Sequence, residues 1–407
     1  MSAFSTTQLS AYTKRIYGDI RVQLEKQNVL YGAFKKVADV KPMNGTVLYE
    51  VAEYGRHTGI GARTEGGALP RAGRRKGAQF NVSLKNLYGR TSFSGQVFEQ
   101  MNSDKAAFGA TVGHQIETLK EDFLKDFNRQ MWGKGFGALC MTNGAGTASA
   151  TLIVDTPIVG SFATQYLYEG QTIDIWTTES TGGSQSVTAA VIQSVDSATQ
   201  VTLTTTQTWA DNSFVFLELN RNNELTGLQS AIDDGTIKDS YFGITRSTNR
   251  YWQSIRTAIG AAATEAVVLN ALSQVSKQEK SDILITSYEI FNAIAKTQLS
   301  TKRYNLDMGG KVGAIPAGYD GLNISNIMMY ADQDCPYDTV ANSGKLFGFK
   351  GSNMHLLSTA DAQFMDRDGS IYHRLYDEDG YEVTMFQYAE VVDTRSNAAF
   401  VLTGLQA

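Results

Sequence analysis

The 407 residues carry 36 Lys/Arg against 41 Asp/Glu, a formal charge of −5, and 42% of them are hydrophobic. That is ordinary globular composition, long enough for two or three domains, and it excludes a general nucleic-acid coat. Two cysteines, Cys140 and Cys335, exclude a disulfide framework; they could pair with each other, but free thiols of a reducing compartment are the default reading.

The charge is unevenly placed. Residues 1–134 hold 20 Lys/Arg and 12 Asp/Glu, a net of +8. Residues 135–220 hold seven acids and no Lys, Arg or His, and 221–407 hold 16 basic and 22 acidic groups. Such a gap without cations marks a separate module. The N-terminus lacks the apolar run of a signal peptide. No stretch approaches the ~20 apolar residues of a membrane span; the least polar, 258–272, is interrupted by Thr264, Glu265 and Asn270. A soluble protein made in the cytosol is expected.

Residues 5–36 read as a loose helical arm, with Ile16, Ile20, Leu24 and Leu30 on one face. It is either a surface helix or an arm lying on a neighbouring subunit, and the second is preferred. Two alternating runs, 46–51 and 80–85, predict strands. Between them, 55–77 has seven glycines and six cations (Arg56, Arg63, Arg71, Arg74, Arg75 and Lys76) against one acid, Glu65. Its large aliphatics are Ile60 and Leu69, too few for a core of its own. Loops of that length are usually functional or disordered. The simplest reading is a basic arm that becomes ordered on a partner.

A long helix is predicted from Ser103 or Asp104. Phe108, Val112, Ile116, Leu119, Phe123, Phe127 and Met131 form its apolar stripe, opposite Lys120, Glu121, Lys125 and Arg129. Gly133 and Gly135 end it. A Phe/Leu stripe is far more often core than cofactor box, so it reads as a spine packed on a sheet. Residues 147–220 form the cation-free module: 22 of the 66 residues from 148 to 213 are Ser or Thr, and short β-rich runs alternate with turns. That predicts a small antiparallel barrel or sandwich. Excising 148–213 is expected to leave a core that still assembles. Beyond 221 the pattern is mixed α/β: a helix over 249–275, a strand over 282–286, and a helix after Ser287 as cap. Strands follow over 324–329, 346–349, 381–386, 390–393 and 398–402.

Chemistry is mostly missing. No Walker loop, nucleophile elbow or zinc-protease motif occurs, and the Gly59–Thr64 segment lacks the third glycine and helix of a phosphate loop. His57, His114, His355 and His373 are isolated, which argues against a metal site, and His114 is assigned to packing. Asp366–Gly369 and Asp377–Gly380 read as hairpin turns, with a weak cation site as the minority view. No enzyme, cofactor or metal is expected.

The order of parts resembles the major capsid proteins of tailed bacteriophages, with the Hong Kong 97 phage-type fold. The segment VLYEVAEYGRHTGIGARTEGGALPRAGRRKGAQFNVSLKNLYGR is similar to the extended loop, DKAAFGATVGHQIETLKEDFLKDFNRQMW to the spine helix, and AAATEAVVLNALSQV through SDILITSYEIFNAIAKT to the axial domain. The resemblance implies an α+β chain divided into an N-terminal arm (1–44), extended loop and strands (45–100) and spine helix with peripheral domain (101–146). An inserted β domain (147–220), an axial domain (221–365) and C-terminal strands returning to the peripheral domain (366–407) would follow. It implies pentamers and hexamers that close an icosahedral head around double-stranded DNA, assembled in the host cytoplasm. Portal, separate scaffolding and decoration proteins would be partners, and no membrane. The loop residues Arg56, Arg63, Glu65, Arg71, Arg74, Arg75 and Lys76 would make intersubunit contacts. Some members crosslink through a loop lysine; Lys76 is present, but nothing here identifies a partner Asn, so the resemblance assigns no crosslink either way. The rivals are an encapsulin-like shell, a nucleic-acid binder using the basic arm, and an adhesive protein using Trp176 and Trp209 on sugars. The second is disfavoured because the arm has no aromatics to stack on bases.

Overall fold

The computed structural model describes residues 29–37, 41–42, 47–54, 56–95, 105–301, 322–366 and 369–407. The first 28 residues of the expected arm therefore lie outside the described set. Its described end, the helix Val29–Val37, packs on its own subunit. Tyr31 meets the Phe127 ring edge-on at 6.2 Å, and Phe34 lies 6.1 Å from Phe349.

Val47–Tyr54 and Lys76–Ser83 form one hairpin, paired from Val47↔Ser83 to Tyr54↔Lys76. The chain runs straight on into Lys85–Ser94, which pairs along ten residues with Gly380–Asp393. That long C-terminal strand also pairs with Met354–Phe364, so it forms the middle of a five-stranded peripheral sheet. The spine helix Lys105–Trp132 lies on this sheet. Gly89 makes the close approach possible: a Cβ there would stand 3.0 Å from the Phe123 ring and 3.3 Å from Leu119. The helix stops at Gly133, whose N–H bonds to Gln130 O at 3.0 Å, and Gly135 takes φ +78°.

Six strands close a barrel: Ala138–Thr142, Gly146–Pro157, Thr172–Trp176, Gln185–Ser197, Gln200–Trp209 and Phe214–Leu217. It starts with a strand ahead of residue 147. Alternation explains its core: Leu152, Val154, Ile173, Ile175, Val201, Leu203 and Val215 point inward while Ser and Thr face water. Its root is shared with the main body. Ile158, Val159 and Phe216 belong to the same core as the spine, and Gly160 bonds by its N–H to Asp334 O (3.1 Å) and by its C=O to Tyr337 N (2.9 Å). This shared root argues against a clean excision of 148–213. Deleting 148–213 is now expected to shift the product to the insoluble fraction on fractionated expression. An excised chain that stays soluble and assembles would show the root to be dispensable.

The axial sheet runs in the order Ile255–Ala262, Phe400–Gln406, Ser343–Phe349, Ile283–Thr286, Ile327–Ala331, Leu322–Ile324. Helices Glu265–Val275 and Tyr288–Thr301 cover it with Val268, Leu272, Ile290 and Ile294. The helix expected over 249–275 is thus half strand. Ala-rich 255–262 has good helix propensity, but parallel pairing with 400–406 and Gly260 at φ +62° override it. The last strand, Phe400–Gln406, sits inside this axial sheet and not in the peripheral one.

Candidate assembly site

The hairpin's base is fixed and its tip is free. Phe80 and Val82 are buried; Phe80 stacks at 5.7 Å on Trp252, and Asn81 N–H bonds to Phe242 O at 3.0 Å. Beyond the base, Arg56, Arg63, Glu65, Arg71, Arg74, Arg75 and Lys76 are all exposed. Ile60 is 78% and Leu69 86% exposed, unusual for two large aliphatics in one loop. Local bonds give the tip its shape: Arg63 Nε donates to Ala68 O (2.9 Å), and Gly67 N–H to Thr64 O (2.9 Å). The two legs pinch at Gly59 and Gly73. A Cβ on Gly73 would lie 2.1 Å from Thr58 Oγ1 and 2.6 Å from Gly59 N, so neither leg tolerates a side chain there. Replacing Gly73 with Val is expected to splay the legs and to increase proteolytic nicking within 56–75; an unchanged digestion pattern would refute the pinch.

Of the expected spine stripe, Ile116, Phe123, Phe127 and Met131 are buried and Leu119 is half-buried. Phe108 and Val112 lie in the helix, but their side chains fall outside the described set. The opposite face is not uniformly solvated. Glu121 and Lys125 are exposed, but Lys120 and Arg129 are buried. Arg129 grips Glu224 with both terminal nitrogens (Nη1–Oε2 3.1 Å, Nη2–Oε1 2.5 Å), and its Nε reaches Asp126 at 2.7 Å. Burial opposes the charged guanidinium, but Asp126 and Glu224 outweigh it and raise Arg129. Burial also pushes Glu224 up, against the pull of Arg129. Asp126 could be read from its i,i+3 spacing; Glu224 is 95 residues away and carries no sequence signal. His114, assigned to packing, is exposed instead, because it falls on the edge of the stripe.

A second buried pair lies within residues 230–246. Arg246 donates to Ser230 O and Ala231 O, both at 2.7 Å, stacks 4.3 Å over Tyr241, and faces Asp233. The first pair ties the spine helix to residue 224, and the second ties the segment 230–246 to itself. Interior carboxyls also make stability pH-dependent. Burial pushes Glu390 and Asp393 up to about 7; burial, then Asp334, does the same to Asp332. Unfolded carboxyls titrate near 4. Between about pH 4 and pH 7 the folded subunit keeps protons that the unfolded chain releases, so stability falls as pH rises through that window. Lys345, pushed down to about 7 by burial, has the opposite dependence, but only above about pH 7, where the unfolded lysine holds a proton that the folded one has lost. The unassembled subunit is expected to melt at a higher temperature near about pH 5.5 than near about pH 8. A higher melting point at the alkaline end would contradict the assignment.

Cys140 and Cys335 are separate buried thiols. The turn 377–380 closes a hairpin, with Leu375 N–H bonded to Gly380 O at 3.0 Å. Residues 367 and 368 of the other acidic turn lie outside the described set. Among the described residues no group of His, Cys, Asp and Glu could hold a metal ion, and no helix is long and apolar enough to cross a membrane.

No family model and no curated protein matches the chain. Solved structures do. A chain of the cyanophage A-1(L) capsid asymmetric unit aligns over 94% of this chain and 93% of its own, with 13% identity and a TM-score of 0.56. The capsid of a native GTA particle aligns over 92% and 90%, with 9% identity and a TM-score of 0.47. The holo-SrpI encapsulin complex of Synechococcus elongatus aligns over 91% and 86%, with 6% identity and a TM-score of 0.45. The cyanophage match carries the assignment of fold: an α+β chain of the Hong Kong 97 phage-type capsid architecture.

Proposed function

We propose that this capsid-type fold serves here as the major capsid protein of a tailed phage, closing pentamers and hexamers into an icosahedral head. The observation that supports it is the finger itself. It is rooted by Phe80 and Val82, yet presents six cations and two large aliphatics to solvent. A single subunit gains nothing from exposing Ile60 and Leu69; a second copy that covers them would gain apolar burial worth on the order of 25 cal/mol per Å². Arg56, Arg63, Arg71, Arg74, Arg75 and Lys76 then pair with a neighbour's carboxylates, Arg in two-point contacts, and Glu65 takes a cation in return. Many repeats of such interfaces make individually modest contacts collectively strong. The chain works without catalysis. Double-stranded DNA fills the shell without sequence readout, and a portal and separate scaffolding protein complete assembly.

Negative-stain microscopy of the purified chain, alone and with its scaffold, tests this. Closed shells are expected. Material that stays single-copy in both conditions removes the proposal.

A further inference from the structure

We propose that the cleft between the barrel and residues 218–223 is a binding site for a neutral saccharide. The cleft measures about 400 Å³ and is lined by Trp176, Gln185, Thr188, Glu218 and Arg221 among others; that volume suits one or two sugar rings. Of the four tryptophans, Trp132, Trp209 and Trp252 are at most 4% exposed, so Trp176 is the one that faces a cavity. Trp209, the other candidate for sugar stacking in the sequence, is core and donates its indole N–H to Gly144 O.

The cleft is built with care. Arg221 stacks 4.0 Å from the Trp176 ring centre and donates to Thr178 O (3.1 Å), Gly182 O (2.7 Å) and Ser180 O. This fixes the indole from one face and occupies the guanidinium's Nη2, while Nε is buried without a hydrogen-bond partner. Asp174 is buried below, and both of its oxygens accept backbone N–H groups: Ala189 at 2.9 Å and Leu219 at 3.3 Å. Both acceptor-held residues sit in the left-handed region, Ala189 at φ 51° and Leu219 at φ 60°, and Asn222 joins them at φ 62°. Non-glycine residues rarely adopt that region, and such strain concentrates where a chain presents groups to a ligand. Leu219 is left 79% exposed on the rim.

The charge pattern selects the ligand. The barrel segment 135–220 contributes no cation, and Arg221 commits its Nη2 and shares the cleft with two carboxylates, Asp174 and Glu218, so phosphates and nucleic acid meet a lining of net negative charge. Asp174 is also committed, which leaves Glu218 as the free carboxylate, too little for a polycation. Among the described residues the exposed side chains of Gln185, Thr188 and Glu218 have no hydrogen-bond partner. An amide, a hydroxyl and a carboxylate beside an indole that Arg221 holds on one face match the vicinal hydroxyls and apolar C–H edge of a sugar.

Saturation-transfer NMR on the full-length chain tests this with glucose, galactose, mannose, N-acetylglucosamine and their short oligomers. At least one is expected to bind saturably, with a Kd of about 1 mM or tighter. Trp176→Ala and Glu218→Gln should each weaken it by about tenfold, the latter with an unchanged melting curve. No transfer from any sugar up to about 10 mM overturns the site. So does transfer that survives both variants, or binding of oligolysine with no sugar bound. The measurement needs no assembly, so its failure leaves the shell function standing.

Discussion

Replacing Arg71, Arg74 and Arg75 together with Ala is expected to leave a folded, soluble subunit whose yield of closed particles falls by about tenfold or more. The three guanidinium groups are exposed, and among the described residues none has an ion-pair partner in its own subunit. Their removal therefore costs the monomer little: surface changes away from packing are usually within about 0.5 kcal/mol. In an assembled shell, each would be a two-point contact to a carboxylate worth on the order of 1 kcal/mol or more, lost at every copy of the interface. Sedimentation separates subunits from shells, and circular dichroism checks the fold. A triple variant that assembles normally would mean the finger docks through Ile60 and Leu69 alone, or not at all. Added salt should mimic the variant in part, because exposed charge contacts weaken as the Debye length shrinks.

Glu224→Ala is expected to have the largest effect on the subunit itself. It strands a buried guanidinium with Asp126 as its remaining carboxylate, at a cost of about 3–5 kcal/mol. For a domain with 5–15 kcal/mol in hand, that is enough to send much of the product to the insoluble fraction. Replacing both members, Arg129→Met with Glu224→Leu, should recover much of the soluble yield, since a packed apolar pair is often no worse than a buried ion pair. If the double variant is as insoluble as the single, Arg129 must matter through its stack 5.9 Å over Tyr166 as well.

These two sites show what could and could not be read beforehand. The finger was legible, because glycine density, cation density and a lack of aliphatics are local properties, and 56–76 is exposed as those properties require. The spine was legible from its period, down to Gly133 as its stop. The β character of the cation-free module followed from alternation, although its first strand, 138–142, reads as an apolar run without a period. What escaped notice is non-local. Arg129 looks like any solvated helix cation until Glu224 arrives from 95 residues away. Residues 255–262 look helical until 400–406 pairs with them. The saccharide cleft needs Trp176 and Arg221, 45 positions apart in number but stacked in space. Sequence windows see propensity; they do not see the partner that overrides it.

The strand that pairs with the chain just past the finger, Gly380–Asp393 on Lys85–Ser94, comes very late. Tyr88 and Tyr388 face each other across 300 residues, and 400–406 enters the axial sheet between 255–262 and 343–349. On a ribosome, the sticky loop thus emerges long before the segments that hold it in position. A nascent chain can offer its cations and aliphatics to a neighbour, but not at the correct angle. Synthesis itself becomes a clock: only a finished polypeptide has the stiff base from which a productive embrace of another can begin.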